Sequence, residues 1–190
     1  SEAPLDLYEI GRVLTHQVGK WFGDNCMVRI ISDDGEHLIP ISIYNPDPEI
    51  AAFRSAFYST VLTRIDQGVP GYIIQTGQAL LLSELTPELI SEKFGDDYVQ
   101  LLERTNVHGV LAVPLEARGR VIGTLALSRT VPTPHFDAAD LALLENIGGR
   151  AALQIDNALL LRDAQQAAEA AQRQAGRLAF LAAIGREIAE

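Results

Sequence analysis

Residues 109–129 read Gly-Val-Leu-Ala-Val-Pro-Leu-Glu-Ala-Arg-Gly-Arg-Val-Ile-Gly-Thr-Leu-Ala-Leu-Ser-Arg, two apolar runs around a short polar turn at Arg118 and Gly119. Runs this continuous predict a hairpin whose strands are covered on both faces, because a strand with one wet face would alternate with polar residues. Shortly afterwards a helical pattern opens at Asp137, and no proline interrupts it through Glu190. Unbroken, that helix would span roughly 80 Å at about 1.5 Å per residue, more than one domain of this size can cover. A small sandwiched sheet feeding one long helix suits a module that passes on a state. It suits an enzyme, which must gather catalytic groups, poorly.

The 190 residues allow one domain plus an extension, and the 47% apolar content is that of a folded core. The net charge of −10 argues against a nucleic-acid or anionic-membrane surface, both of which need clustered Lys and Arg. Cys26 is the only cysteine, so no intrachain disulfide, zinc knuckle or iron–sulfur site can be built from this chain alone. No apolar run approaches the roughly 20 residues of a membrane helix. The chain reads as a cytoplasmic piece of a longer protein, with any membrane or targeting segment outside it.

Along the chain, Leu7, Ile10, Leu14, Val18 and Trp21 or Phe22 recur at three- and four-residue steps and predict a helix over 5–22. Strands are predicted over 27–32 and 37–44, joined by a turn at Ser32-Asp33-Asp34-Gly35. A helix over 50–65 follows, with Phe53, Phe57, Val61 and Leu62 on one side. Gly68-Val69-Pro70-Gly71 is a tight connection into a short helix, 72–76, closed by Gly77. A strand over 79–82 leads to a helix over 90–105, with Phe94, Tyr98, Leu101 and Leu102 inward and a plausible break at Gly95. Asp137 is a good N-cap for the final helix, with Asp140 at N3 in a weak capping box and Phe136 and Leu141 able to form a staple.

That helix changes character on the way. Leu141, Leu144, Ile147, Ala151, Ile155 and Leu159 form a stripe able to dock on a sheet. Beyond Arg162 the run is rich in Ala, Gln and Glu, strongly helical by propensity but with little apolar surface. Two readings are open, a solvated and partly frayed extension or a two-stranded coiled coil with Ala at its seam. The second is preferred, because helical stability comes mostly from packing. Leu181 to Ala189 also echoes Leu7 to Thr15 through Leu and Ile-Gly-Arg, as if a second, similar unit were beginning.

The order of these elements resembles a GAF domain. The residues that carry the resemblance are Gly68-Val-Pro-Gly71-Tyr-Ile-Ile74-Gln-Thr76-Gly77-Gln78, Val113-Pro114-Leu115, Val121-Ile122-Gly123-Thr-Leu125 and the Phe136 to Ala158 stretch. It covers about residues 5–161. The resemblance implies an α+β fold with a central antiparallel sheet of five to six strands in order 2-1-5-4-3, helices on both faces and a long C-terminal helix. It divides the chain into a sensory domain, 1–161, and a helical linker or coiled coil, 162–190. It also implies a small-ligand pocket on the face of the short middle helices, lined by Tyr72, Ile74, Phe94, Tyr98, Leu102 and His108. GAF domains sit in sensor histidine kinases, cyclic-nucleotide phosphodiesterases, phytochromes and transcription activators, often in tandem.

The family's sharper chemistries fit less well. Covalent bilin attachment would place a cysteine near Asp97 or Tyr98, and neither is a thiol. One cysteine cannot complete the disulfide cycle of a methionine-sulfoxide reductase. Of the cyclic-nucleotide pattern Asn-Lys…Phe-x-x-x-Asp-Glu, only Phe136 and Asp140 match, and both have structural work at a helix start. His16, His37, His108 and His135 show no metal spacing, so no metal or resident cofactor is expected. The expectation is a non-catalytic sensory module of a two-component signalling protein, a sensor histidine kinase first among them. Its partners would be a second copy through the helices, an adjacent sensory domain and a kinase output domain. A ligand-free dimerising spacer and a cyclic-nucleotide-binding domain are the alternatives.

Overall fold

The apolar runs fold into six strands, as seen in a computed structural model that describes residues 6–60, 63–94, 99, 106–131 and 134–188. They are β1 (Asn25–Ile31), β2 (His37–Tyr44), β3 (Thr63–Arg64), β4 (Leu80–Leu82), β5 (Gly109–Ala117) and β6 (Arg120–Arg129). All neighbours are antiparallel, in the order β3-β2-β1-β6-β5-β4. The expected five-strand order is present, with β3 added at the edge beside β2. That strand corrects the sequence reading, which carried a helix through Ile65. Among the described residues β3 is held by the pairs His37–Arg64 and Leu38–Thr63, with Ile65 N–H donating to the Glu36 carbonyl at 3.1 Å beside them, a tertiary contact that local helical pattern does not encode.

Five helices are described: α1 (Leu7–Phe22), α2 (Pro48–Thr60), α3 (Gly68–Thr76), α4 (Pro87–Phe94) and α5 (Ala138–Ile188). Asp47 caps α2, its carboxylate accepting from Glu49 N–H at 2.9 Å, and Pro48 supplies a preset φ at the first turn. α3 begins at Gly68, four residues ahead of the expected start, and ends at Gly77 in the left-handed region as expected. The break expected at Gly95, and Tyr98, Leu101 and Leu102 on the expected continuation of α4, lie outside the described residues.

Helices cover the sheet on both sides. α1 lies over β1 and β2, where the Thr15 and Ser42 hydroxyls share a 2.8 Å hydrogen bond. The first part of α5 lies on the same side. A Cβ on Gly148 would come within 2.9 Å of Val113, so glycine lets this helix sit close to β5. Gly123 in the Ile-Gly-x-Leu motif is required more strictly, because a Cβ there would meet the Arg29 carbonyl oxygen at 2.1 Å. α3 covers β5 and β6 from the other side, with α2 beside it over β2.

The two-residue connection between β5 and β6 has Arg118 at φ 52° and Gly119 at φ 76°, the tight turn that suits the right-handed twist of a hairpin. A bulge in β2 leaves Ile41 unpaired between Val28–Ser42 and Arg29–Pro40, and Pro40 is tolerated beside it because the ladder is already interrupted.

The chain divides into two compact units, Ser1–Asp156 and Asn157–Glu190, with the boundary inside α5. In the first unit α5 buries Leu144, Ala151, Ala152 and Ile155. Its start is capped as the sequence predicts. The Asp137 carboxylate accepts from Ala139 and Asp140 N–H at 2.8 and 2.9 Å, and Asp140 reaches back to Asp137 N–H at 3.1 Å. The second unit is helical through 188, and none of its described residues is buried; Leu178, Phe180 and Leu181 are exposed. Among the described residues no helix is long and apolar enough to cross a membrane.

Candidate functional site

Strand alternation sorts the sheet's side chains by size, although the strands read as unbroken apolar runs. Toward α1 and α5, β5 and β6 place Leu111, Val113, Leu115, Leu125 and Leu127, all fully buried. Toward α2 and α3 the same strands place Ala112, Thr124, Ala126 and Ser128. β1 follows suit, with Cys26, Val28 and Ile30 on the first side and Asn25, Met27 and Arg29 on the second. Small and polar groups therefore gather on part of the face toward the short middle helices, beside Met27 and Val110, and a cavity of about 70 Å³ remains there.

α2 completes the cavity with Arg54 and Tyr58, and α3 with Val69 and Pro70. At Phe53 this corrects the expected inner face of α2; Phe57 is half-buried, and Val61 and Leu62 lie outside the described residues. Phe53 is 66% exposed, whereas its neighbour Arg54 is only 7% exposed. Arg29 lies 4.8 Å from the centre of the Tyr58 ring, in cation–π contact. The Asn25 amide donates to the Tyr44 carbonyl at 3.1 Å. Its oxygen accepts from the Ser128 hydroxyl at 3.0 Å and from Arg54 Nη1 at 3.3 Å. Among the described residues the buried Nε of Arg29 has no hydrogen-bond partner. Burial, and secondarily the Arg29 charge, push the Arg54 guanidinium below its usual range, while Tyr58 pulls the other way.

The four described residues of the expected pocket take other places. Tyr72 and Phe94 meet edge-on at 6.4 Å and pack on the apolar cluster of Val69, Ile73, Leu80, Leu82, Val110 and Ala112, next to the cavity. Ile74 is half-buried on α3. His108 is half-buried at the start of β5, its N–H donating to the Arg129 carbonyl at 2.8 Å and its carbonyl accepting from Leu85 N–H at 3.1 Å. Tyr98 and Leu102 lie outside the described residues. The sequence reading missed Arg29 and Arg54. A charge inside the apolar strand run 26–31 was the available signal for the first; nothing local marked the second.

Two further charged groups are structural. Arg129 donates to Asp24 at 2.6 and 2.9 Å and to the Pro134 carbonyl, and it lies 4.0 Å over the Phe136 ring. Burial raises the Asp24 carboxyl pKa against the downward pull of Arg129. Of the two residues that match the cyclic-nucleotide pattern, Phe136 is covered by Arg129 and Asp140 caps the start of α5. On the hairpin turn, Arg118 Nε and Arg120 Nη2 donate to the buried Asp156 of α5 at 2.7 and 3.1 Å.

Cys26 is fully buried and burial pushes its thiol well up, as expected of a core position. Asp34, Glu36 and His37 cluster with ligand atoms within 4.8 Å of one another. There the Asp34 carboxylate, lowered first by the Ser32 hydroxyl, simply holds the β1–β2 turn together.

A family model described as "GAF domain" matches residues 6–155. Among solved structures, the GAF domain of an Acinetobacter phosphoenolpyruvate-protein phosphotransferase is 16% identical, with TM-score 0.63, covering 82% of this chain and 86% of its own. A GAF domain/HD domain protein from Geobacter sulfurreducens is 24% identical, with TM-score 0.62 and coverages of 82% and 95%. The GAF-B domain of DevS from Mycobacterium smegmatis is 16% identical, with TM-score 0.61 and coverages of 83% and 98%. At these identities the likeness is one of fold. No curated protein matches the chain.

Proposed function

The chain belongs to the GAF domain family of regulatory and sensory modules, and from that premise we propose that it senses a small ligand within a multidomain signalling protein. The observation that carries this reading is the cavity on the α2/α3 side. Asn25, Arg29, Arg54 and Ser128 converge on a space of about 70 Å³. A spacer domain that bound nothing would gain stability by filling that volume with aliphatic side chains, as the opposite face does. The protein acts in the cytoplasm, with a sensor histidine kinase as the output.

α5 is the output element. Its first turns are built into the first unit's core through Leu144, Ala152 and Ile155 and tied to the hairpin turn through Asp156. Its later residues present Leu178, Phe180 and Leu181 to a partner helix. Ligand binding shifts the balance between two packings of a homodimer, and the coiled coil over 162–190 carries the shift onward. An apolar groove of about 730 Å³ between α1 and α5 supports the dimer. Trp21, 79% exposed, stands in that groove with Val13 and Leu143. Exposed Trp21 grouped with Val13 and Leu143 in one apolar groove suits an association site, and a two-fold pairing of the same surface would cover it.

Sedimentation and spin labelling test this reading. The 190-residue chain is expected to sediment as a dimer, and Trp21→Glu to shift it to monomer. Because Cys26 is buried, a nitroxide on Leu178→Cys would report the helix alone. Its interspin distance is expected to change with any compound that raises the melting temperature in a metabolite screen. A monomeric wild type, or a distance insensitive to every stabilising compound, would remove the proposed relay.

A further inference from the structure

Arg29 and Arg54 are both more than nine-tenths buried, yet among the described residues neither has a carboxylate partner. Buried arginine is normally paired, since an isolated charge is strongly disfavoured away from water. Here the nearest neighbours are a ring face, an amide oxygen and each other. Arg29 also keeps one buried N–H without an acceptor, and orphaned buried donors are rare. In a chain of net charge −10 this is a local reversal of sign.

The neighbouring sequence makes the arrangement costlier still. α2 turns Arg54 inward and leaves Phe53 in solvent, against the ordinary preference of both side chains. Such a conflict between local preference and fold is expected where function, not packing, dictates the residue. The cavity's size narrows what could resolve it. A nucleotide or tetrapyrrole needs several hundred Å³. A group of a few heavy atoms fits.

We propose that this cavity is a receptor for a small oxyanion, a carboxylate or phosphate group gripped between the guanidinium groups of Arg29 and Arg54. Planar guanidinium forks match either group in charge and geometry. Ser128 and Tyr58 border the anion, and Val69 and Pro70 line the site with apolar surface. This assignment rests on reading the cavity as the ligand site, and it adds the ligand's chemical class.

Calorimetric titration of the 190-residue chain with sodium acetate and, separately, inorganic phosphate tests it, with ionic strength held by sodium chloride. Saturable one-to-one binding of at least one anion is expected, and the tighter of the two identifies the group. Arg29→Gln and Arg54→Gln are each expected to weaken that binding at least tenfold while leaving the chloride-only melting temperature no lower than wild type. Should either variant fail to fold, Arg29→Lys or Arg54→Lys keeps the charge but loses the fork, and the same weakening is expected. No saturable binding of either anion, or binding unchanged in both substitutions, would overturn the assignment. Stabilisation by uncharged compounds alone would also overturn it while leaving the sensory reading intact. Anion binding that leaves the Leu178→Cys distance unmoved would support the assignment and count against the relay.

Discussion

On the α1/α5 side of the sheet the buried Arg129 is held by two hydrogen bonds to Asp24 and covers Phe136. On the α2/α3 side the equally buried Arg29 and Arg54 face a cavity without a carboxylate. The same strands build both environments, and the side chains behind them differ in the same sense. Large aliphatics close the first face, whereas Ala112, Thr124, Ala126 and Ser128 leave room on the second. One face is finished by the chain itself, and the other is left for something the chain does not supply. Within one sheet, stability and recognition are separated by strand parity.

Breaking the Asp24–Arg129 pair should have the largest effect. Asp24→Ala would strand a buried guanidinium and is expected to cost about 3–5 kcal/mol in urea unfolding. Leu125→Ala, on the filled face, should cost about 2–5 kcal/mol by leaving a void. Its neighbour across the pleat gives the contrast, since Ala126→Val adds volume beside an existing cavity and should change stability by less than about 1 kcal/mol. Equal costs at 125 and 126 would erase the distinction between the faces. Asp137→Ala should cost about 1 kcal/mol, by removing the cap that seats α5.

The smallest effect concerns pH. Cys26 keeps its proton in the folded state because burial raises its pKa, whereas in the unfolded chain it ionises near pH 8.5. Folding stability from this group is therefore complete below about pH 8.5 and declines above it, by at most about 1.4 kcal/mol per pH unit. Stability of wild type and Cys26→Ala measured from pH 7.5 to 9.5 should converge as pH rises. Parallel curves would mean that the thiol is accessible to water.

Features set by neighbouring residues were legible in the sequence. The Asp137–Asp140 cap, the Arg118-Gly119 turn and the Gly77 helix end are each decided within a few positions. The five-strand order came from the resemblance, not from pattern. Features that depend on what lies across the fold were not legible. Helical periodicity put Phe53 inward, but the inward direction of α2 is set by a polar cavity built from β1 and β6, which rewards Arg54 and Tyr58. β3 exists only because β2 has a free edge. The turn at Arg118 and Gly119 reads only as polar, and it is the fold that brings Asp156 beneath Arg118 and Arg120. The alternation of large and small residues in Leu-Ala-Val and Leu-Ala-Leu was present in the sequence, concealed because all of them count as apolar.

The difference between the two arginine environments is tested most directly by urea unfolding of an Arg29→Met/Arg54→Met double variant in phosphate-free, carboxylate-free buffer. If these charges await a ligand, removing them should leave stability within about 1 kcal/mol of wild type or raise it, because no carboxylate partner is lost, only the long Arg54–Asn25 hydrogen bond and the Arg29–Tyr58 ring contact. A loss of about 3 kcal/mol or more, matching that of Asp24→Ala, would show that Arg29 and Arg54 hold the fold together and would contradict the account.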